Sequence, residues 1–320
     1  MAPPENEAGV VVAEEAVSAA GVGATAVEAA ADQAGSIKAS GPLSTVVILI
    51  AMQTEALPLV SKFQLSEDAD PPFPKGVPWV RYYGIYEGLH INIIWFGKDS
   101  VLGVDNVGTV SASLVTYASI LAFKPDLIIN AGTAGGFKVK SRIIIELEEQ
   151  AEARKPESAS TLSVFSLGKQ ATCYAKGASI ADVYLVSDVA FHDRRIPIPV
   201  FDQYGVGARK AFSTPNLSRE LNLKVGKLST GDSLDMSPHD EAAIMTNNAV
   251  VKDMEGAAVA YVADLFTVPA IFLKAVTDVV DGDKPTAEEF LENLVAVTAA
   301  LDQAVSKVLG FLPGKCLSDL

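Results

Sequence analysis

The chain has 320 residues, 49% of them hydrophobic and 20% charged, with a formal net charge of −14. That length and apolar content suit a soluble globular protein with one large α/β domain or two smaller ones. The acidic balance excludes the basic face that a nucleic-acid binder needs.

Two cysteines, Cys173 and Cys316, and three histidines, His90, His192 and His239, are too scattered for a disulfide framework or a metal spacing. No metal or other cofactor is expected, and a reducing, cytoplasmic setting fits. No apolar run approaches the ~20 residues of a membrane span, so no membrane partner is expected. The N-terminus lacks the basic and apolar regions of a secretory signal. Residues 1–43 are rich in Ala, Val, Gly and Glu and hold no aromatic residue. Without large side chains they cannot offset the entropy of ordering, so a disordered acidic tail is expected there, followed by one domain over 44–320.

Thr45–Met52 is a continuous apolar run of the kind that forms a strand buried on both faces. Gln53-Thr54-Glu55 follows at once, which puts Glu55 just past the end of that strand. A second strand reads from His90 to Phe96, and a helix from Asp105 to Leu121. The strand Asp126–Asn130 runs into Ala131-Gly132-Thr133-Ala134-Gly135-Gly136. This small-residue loop lacks the spacing of a dinucleotide fingerprint or a P-loop. It suits either a tight turn or close approach of backbone and Thr133 to a ligand.

Residues 141–176 change in tone, from Ile143-Ile144-Ile145 through an acidic stretch to a polar one. So long a connection is unusual inside a compact domain, and it reads as an insertion. A strand follows over Gly177–Val186. The Pro-containing segment Phe191–Phe201 cannot be regular helix and reads as a packed loop. A short helix is expected at Leu217–Leu221 and a strand at Val225–Leu228. Ser237-Pro238-His239-Asp240-Glu241 is a helix start, with Ser at the N-cap and Pro at the first helical position. Val250-Val251-Lys252-Asp253-Met254-Glu255-Gly256 joins a short β-branched run to another helix. Its dipole is expected to favour an ionised Glu255 in the first turn. Pro269–Val276 is a further buried strand, ending at Thr277-Asp278. Thr286-Ala287-Glu288-Glu289 reads as a capping box for the last helix, with Phe290, Leu294, Val297, Leu301 and Val305 at helical spacing. Strands alternating with helices give an α/β fold with a mainly parallel sheet.

Glu55, Glu255 and Asp278 each stand at or just beyond the end of an expected strand. In open α/β sheets ligands bind at that edge. Three carboxylates there have few bases to pair with, and they suit a division of labour in which one stays ionised and another is pushed to higher pKa.

Five motifs occur in an order that resembles the plant-type 5′-methylthioadenosine/S-adenosylhomocysteine nucleosidases of the purine and uridine phosphorylase superfamily. They are Ala51-Met52-x-x-Glu55, Asn130–Gly136, Ser229-Thr230-Gly231-Asp232-Ser233, Met254-Glu255 and Thr277-Asp278. His192-Asp193-Arg194-Arg195 and the tail Gly314–Leu320 point to the plant form. The resemblance covers about residues 44–140 and 177–320.

It implies a three-layer fold with a mixed, mainly parallel sheet and helices on both faces. It also implies a homodimer acting in methionine salvage, hydrolysing the N-glycosidic bond of methylthioadenosine, with S-adenosylhomocysteine left open. Residue by residue, Glu55 would activate the water and Asp278 would protonate purine N7. Met254 and Glu255 would hold the ribose. Thr133 would lie on the ribose side, and the backbone at Leu234 would read the adenine edge. Phe201 is the candidate to stack on adenine. Asn247 and Lys252 are candidates for base-side contacts, and Thr277 could hydrogen-bond Asp278.

Related phosphorylases hold phosphate with arginines at the first strand end and in the glycine-rich loop. Neither segment has an arginine here, so water is the expected nucleophile. The alternatives are a nucleoside phosphorylase, a non-catalytic storage relative, and an isoform that the insertion inactivates.

Overall fold

The computed structural model describes residues 41–138, 177–282 and 284–320. Almost all of the expected acidic tail, and the whole of the expected insertion at 141–176, lie outside the described residues. In chain order the elements are β1 (Thr45–Ile50), α1 (Gln53–Lys62), β2 (Ser66–Glu67), β3 (Val80–Tyr86), β4 (Leu89–Trp95), α2 (Thr109–Phe123) and β5 (Leu127–Gly136). Then come β6 (Val183–Phe191), α3 (Phe201–Val206), β7 (Arg209–Lys210), α4 (Pro215–Glu220), β8 (Lys224–Thr230), α5 (Pro238–Thr246), β9 (Val251–Asp253), α6 (Gly256–Leu265), β10 (Ala270–Val279) and α7 (Thr286–Phe311).

Alternation along β1 shows why the fold has three layers. Val46, Ile48 and Ile50 pack with Leu59 of α1 and with Val297, Leu301 and Val305 of α7. Val47 and Leu49 pack on the other face with Val115 of α2 and with the small residues Ala257, Ala258 and Ala260 of α6. A side-chain period of two sends alternate residues to opposite faces. A strand covered on both sides therefore reads as an unbroken apolar run. Among the described residues one helix, α7, reaches 26 residues and is long and apolar enough to cross a membrane, against the expectation that no run comes close. Its Val297, Leu301, Val305 and Val308 are buried in the core while Glu288, Leu291 and Glu292 are exposed, the pattern of an amphipathic core helix.

The sheet is mixed, as expected, and part of it closes on itself. β1 pairs in parallel with β4 and β5, and β5 in parallel with β10. β10 then pairs antiparallel with β6, β6 in parallel with β8, β8 in parallel with β9, and β9 antiparallel with β5. Strands β5, β10, β6, β8 and β9 therefore form a ring.

Two elements depart from expectation. The small-residue stretch Ala131–Gly136 is the second half of β5, not a loop. It lies in register with β10 from Ala131↔Leu273 to Gly136↔Val279. Its residues are small because partners press on it from both sides; a Cβ at Gly135 would come within 2.5 Å of Val280 and one at Gly136 within 2.7 Å of Ala178. The expected capping box of the last helix is also absent. Helix α7 begins at Thr286 with Pro285 at the N-cap and no side-chain cap bond. Glu289 instead accepts from the Val279 N–H at 2.7 Å, tying the helix start to the end of β10.

Candidate active site

The three singled-out carboxylates meet at the second half of β5, for reasons the parallel-edge picture only half captures. Glu55 sits in the first turn of α1, directly after β1, and Asp278 comes from β10, which runs parallel to β5. Strand β9 runs the other way. With Gly136↔Val251 and Gly135↔Lys252 in register, β9 travels back toward the middle of β5 and delivers Asp253, Met254 and Glu255 there. The overshoot of β5 beyond Asn130 is what lets strands of opposite direction serve one site.

The site is a cavity of about 310 Å³, lined among others by Glu55, Thr133, Met254, Glu255, Lys274 and Asp278. Glu55 is 2% exposed. Its carboxylate accepts from the N–H of Thr133 at 2.7 Å and from the N–H of Met52 at 3.3 Å. Burial raises its pKa, opposed by the Thr133 bond and by the charge on Lys274.

Glu255 occupies the N-cap position of α6, and its side chain makes no cap bond. The N–H groups at the helix start are satisfied by neighbours. Asp253 accepts from Gly256 N–H at 2.8 Å, and the Thr230 hydroxyl accepts from Ala257 N–H at 2.9 Å. Glu255 turns away and accepts from the N–H of Gly108 at 3.0 Å. The expectation that the helix dipole simply keeps it ionised needs correcting. Burial, then the negative charge on Asp253, push Glu255 up to about 7, opposed by Lys274 and the Gly108 bond.

A residue that sequence reasoning passed over holds this cluster together. Lys274 lies inside β10, with its side chain only 1% exposed, and pairs with Asp253 at 2.8 Å. Burial alone would lower its pKa, but the charges of Asp253, Glu255 and Glu55 outweigh that and keep the ammonium above its ordinary range. One cation thus stands among three buried carboxylates. The signal was a single lysine in the otherwise apolar run Pro269–Val276.

Asp278 lies within β10, where a register shift between Val276 and Asp278 re-aims the side chain. The Thr277 hydroxyl donates to Oδ1 at 2.8 Å, as expected, while Oδ2 is buried with no hydrogen-bond partner among the described residues. Burial raises the Asp278 pKa, against the Thr277 bond and the charge on Lys252. Glu55 lies against Gly132, and Asp278 Oδ2 against Gly135. Both carboxylates line the cavity and both have pKa values raised by burial, with Glu255 and Lys274 in electrostatic contact with Glu55.

Comparison with known proteins places this geometry. The family model described as the phosphorylase superfamily matches residues 45–143 and 171–310. Two Arabidopsis thaliana proteins, a 5′-methylthioadenosine/S-adenosylhomocysteine nucleosidase and a 5′-methylthioadenosine nucleosidase, are each 60% identical over 279 residues. That alignment covers 87% of this chain, and 96% and 91% of the two relatives. The chain belongs to the phosphorylase superfamily, among its methylthioadenosine nucleosidases. The apo structure of the Arabidopsis thaliana 5′-methylthioadenosine nucleosidase superposes with a TM-score of 0.75 at 59% identity, covering 87% of this chain and all of that one.

Within this nucleosidase fold most of the expected site residues come together. Glu55, Thr133, Leu234, Lys252, Met254, Glu255, Thr277 and Asp278 all line the cavity. Lys252 lines it in a different capacity from the expected one. Its ammonium donates to the carbonyls of Ser233, Leu234 and Asp235 at 3.3, 2.8 and 3.0 Å, so it braces the loop that presents Leu234.

Two expected contacts are not brought to the cavity. Asn247 caps α5 and donates to the Phe191 carbonyl and the Ser229 hydroxyl, a bracing role behind the site. Phe201 is 54% exposed at the start of α3, edge-on to Tyr204, and does not line the cavity. Among the described residues the aromatic that lines the cavity is Phe290, from the first turns of α7. It read as a core position because it shares the helical spacing of Val297 and Leu301.

Proposed function

We propose that this protein is a 5′-methylthioadenosine nucleosidase. It uses water to cleave the N-glycosidic bond, releasing adenine and methylthioribose. The observation that carries the reading is the pair of buried carboxylates facing one cavity, Glu55 and Asp278, in a chain 60% identical to proteins of that name.

In the reaction, Asp278 gives a proton from Oδ2 to purine N7. The base then leaves with the bonding electrons. Burial favours the protonated acid at rest, and the Thr277 bond to Oδ1 leaves Oδ2 to donate. Glu55 takes a proton from water as the oxygen attacks C1′. Positive charge that builds on the ribose is stabilised by the nearby carboxylates. Glu255, when ionised, accepts from the ribose hydroxyls, and Met254 lines the same wall.

Phosphorolysis is disfavoured. Among the described residues no arginine lines the cavity, and its two cations are engaged, Lys274 by Asp253 and Lys252 by three carbonyls. Among these residues the cavity therefore offers a phosphate no free cation.

The molecule acts as a homodimer in methionine salvage. Support for the dimer comes from α2, whose Val110, Leu114, Tyr117 and Leu121 are 49–71% exposed on one stripe. Leu265 and Phe266 at the end of α6 continue that stripe, since Tyr117 and Phe266 stack edge to face at 5.6 Å. An exposed apolar patch of this kind marks a subunit contact.

The test is adenine release from methylthioadenosine by the purified protein and by Glu55→Gln and Asp278→Asn. The wild type should release adenine, and each variant should lose about 10²–10⁴-fold in kcat. Full activity in either variant would remove that residue from the mechanism.

A further inference from the structure

Outside the acid–base machinery, one exposed carboxylate makes more contacts than a solvated loop residue should. Asp232 follows β8 in the loop that presents Leu234 to the cavity. Its backbone N–H donates to Asp193 Oδ2 at 2.6 Å. Its own Oδ1 accepts from the N–H of Thr109 at 2.6 Å, and its Oδ2 accepts from the Thr109 hydroxyl at 2.5 Å. Thr109 is the first residue of α2, a helix of 15 residues whose N-cap is Gly108 and which has no cap side chain of its own. Asp232 therefore caps α2 from across the cavity mouth, where a carboxylate is favoured by the unpaired N–H groups and the helix dipole.

Gly108 is built into this arrangement. Its φ is +97°, a region that L side chains rarely adopt, and a Cβ there would stand 2.8 Å from Asp232 Oδ1. The N–H of this same glycine donates to Glu255 Oε1 at 3.0 Å, and its neighbour Val107 lines the cavity. The chain of contacts runs from Asp193 through Asp232 to Thr109, then through Gly108 to Glu255.

We infer that Asp232 is a positioning residue, a clasp that ties the Leu234 loop to the start of α2 and so sets the Gly108 N–H against the ribose-binding carboxylate Glu255. The inference rests on the nucleosidase reading for what Glu255 holds. Asp232 touches no reacting atom in this scheme. Without it the two segments flanking the ligand are free to separate, Glu255 loses its fixed donor, and the ribose meets a less ordered carboxylate. The cost falls on substrate binding before it falls on the chemical step, because Glu55 and Asp278 are held by other contacts.

The test compares Asp232→Ala, Asp232→Asn and Thr109→Val with wild type in steady-state methylthioadenosine hydrolysis. Asp232→Ala should raise KM about tenfold with kcat within about threefold of wild type, the scale set by losing a helix N-cap and the order it imposes. Asp232→Asn should recover most of the loss, because its Oδ1 still accepts from the Thr109 N–H and its amide can donate to the hydroxyl. Thr109→Val should fall between. An unchanged KM in Asp232→Ala, or an Asn variant as poor as Ala, overturns the clasp. A second readout does not depend on activity: amide hydrogen exchange at residues 107–109 in the ligand-free protein should quicken in Asp232→Ala. Unchanged exchange there overturns the inference even if the wild type proves to act on another nucleoside, whereas quickened exchange in an inactive wild type would leave the clasp standing and sink the nucleosidase reading.

Discussion

The pH dependence of stability gives a sharp test of the buried charge cluster, through Glu255→Gln. In the folded protein Glu255 titrates near 7, against an ordinary glutamate value of 4.5. The folded state therefore binds this proton more tightly than the unfolded chain. Between those two pH values it carries more protons, so stability must fall as pH rises through the window and level off above it. At about 1.4 kcal/mol per pH unit the loss attributable to Glu255 is about 3 kcal/mol. Glutamine cannot titrate. Glu55 and Asp278, whose pKa values are also raised, contribute slopes of the same sign to both proteins, so the difference between the two curves reports Glu255 together with its coupling to Glu55 and Lys274. Urea unfolding of both proteins from pH 4 to pH 8 measures it. The variant should gain on wild type by about 3 kcal/mol between the ends of that range. Parallel curves would show that Glu255 is not held protonated by burial and by Asp253, and the charge balance assigned to the cluster would be wrong. The same titration bears on activity: if Glu255 holds the ribose as proposed, wild-type kcat/KM should climb as pH rises through about 7.

The lysine at the centre of the cluster and the inserted segment each give a further outcome. Lys274→Met strands three buried carboxylates without a cation, a change that typically costs about 3–5 kcal/mol. At roughly 2 °C per kcal/mol for a domain this size, calorimetry should show a melting temperature lower by about 6–10 °C. The deficit should be smaller at pH 5, where the carboxylates can take up protons, and a melting temperature equal to wild type would contradict the pairing. Deleting residues 141–176 should leave methylthioadenosine hydrolysis equal or higher, because the segments on either side already meet, the Ala178 N–H donating to the Phe137 carbonyl at 3.0 Å. A marked loss of activity in the deletion would refute this.

How much of this was legible in the sequence depended on whether a signal was local. The strands that became β1, β4, β5 and β10 announced themselves as apolar runs, and Ser237 with Pro238 marked the start of α5, where the Ser237 hydroxyl does accept from Asp240 N–H. Glu55, Glu255 and Asp278 stood out because each follows or sits in such a run. The strand nature of Ala131–Gly136 was hidden because small residues there answer to neighbours from β10 and beyond, which no window along the chain contains. Lys274 was missed for a related reason. A lone lysine in a buried strand has meaning only once Asp253, Glu255 and Glu55 are seen around it. Phe201 failed as a cavity residue because its aromatic character could be read but its direction could not. Phe290 was read by its spacing as core, when a helix that starts at the cavity rim turns its first apolar residue into the site.

The central claim is that water, activated at Glu55, is the nucleophile in a cavity whose two lysines are already engaged by protein groups. Methylthioadenosine turned over in heavy-oxygen water, with and without added phosphate, tests it directly by mass spectrometry of the sugar product. Free methylthioribose carrying one solvent oxygen at C1 is the expected product, formed at a rate that phosphate does not raise. A sugar 1-phosphate whose formation depends on phosphate would contradict the claim.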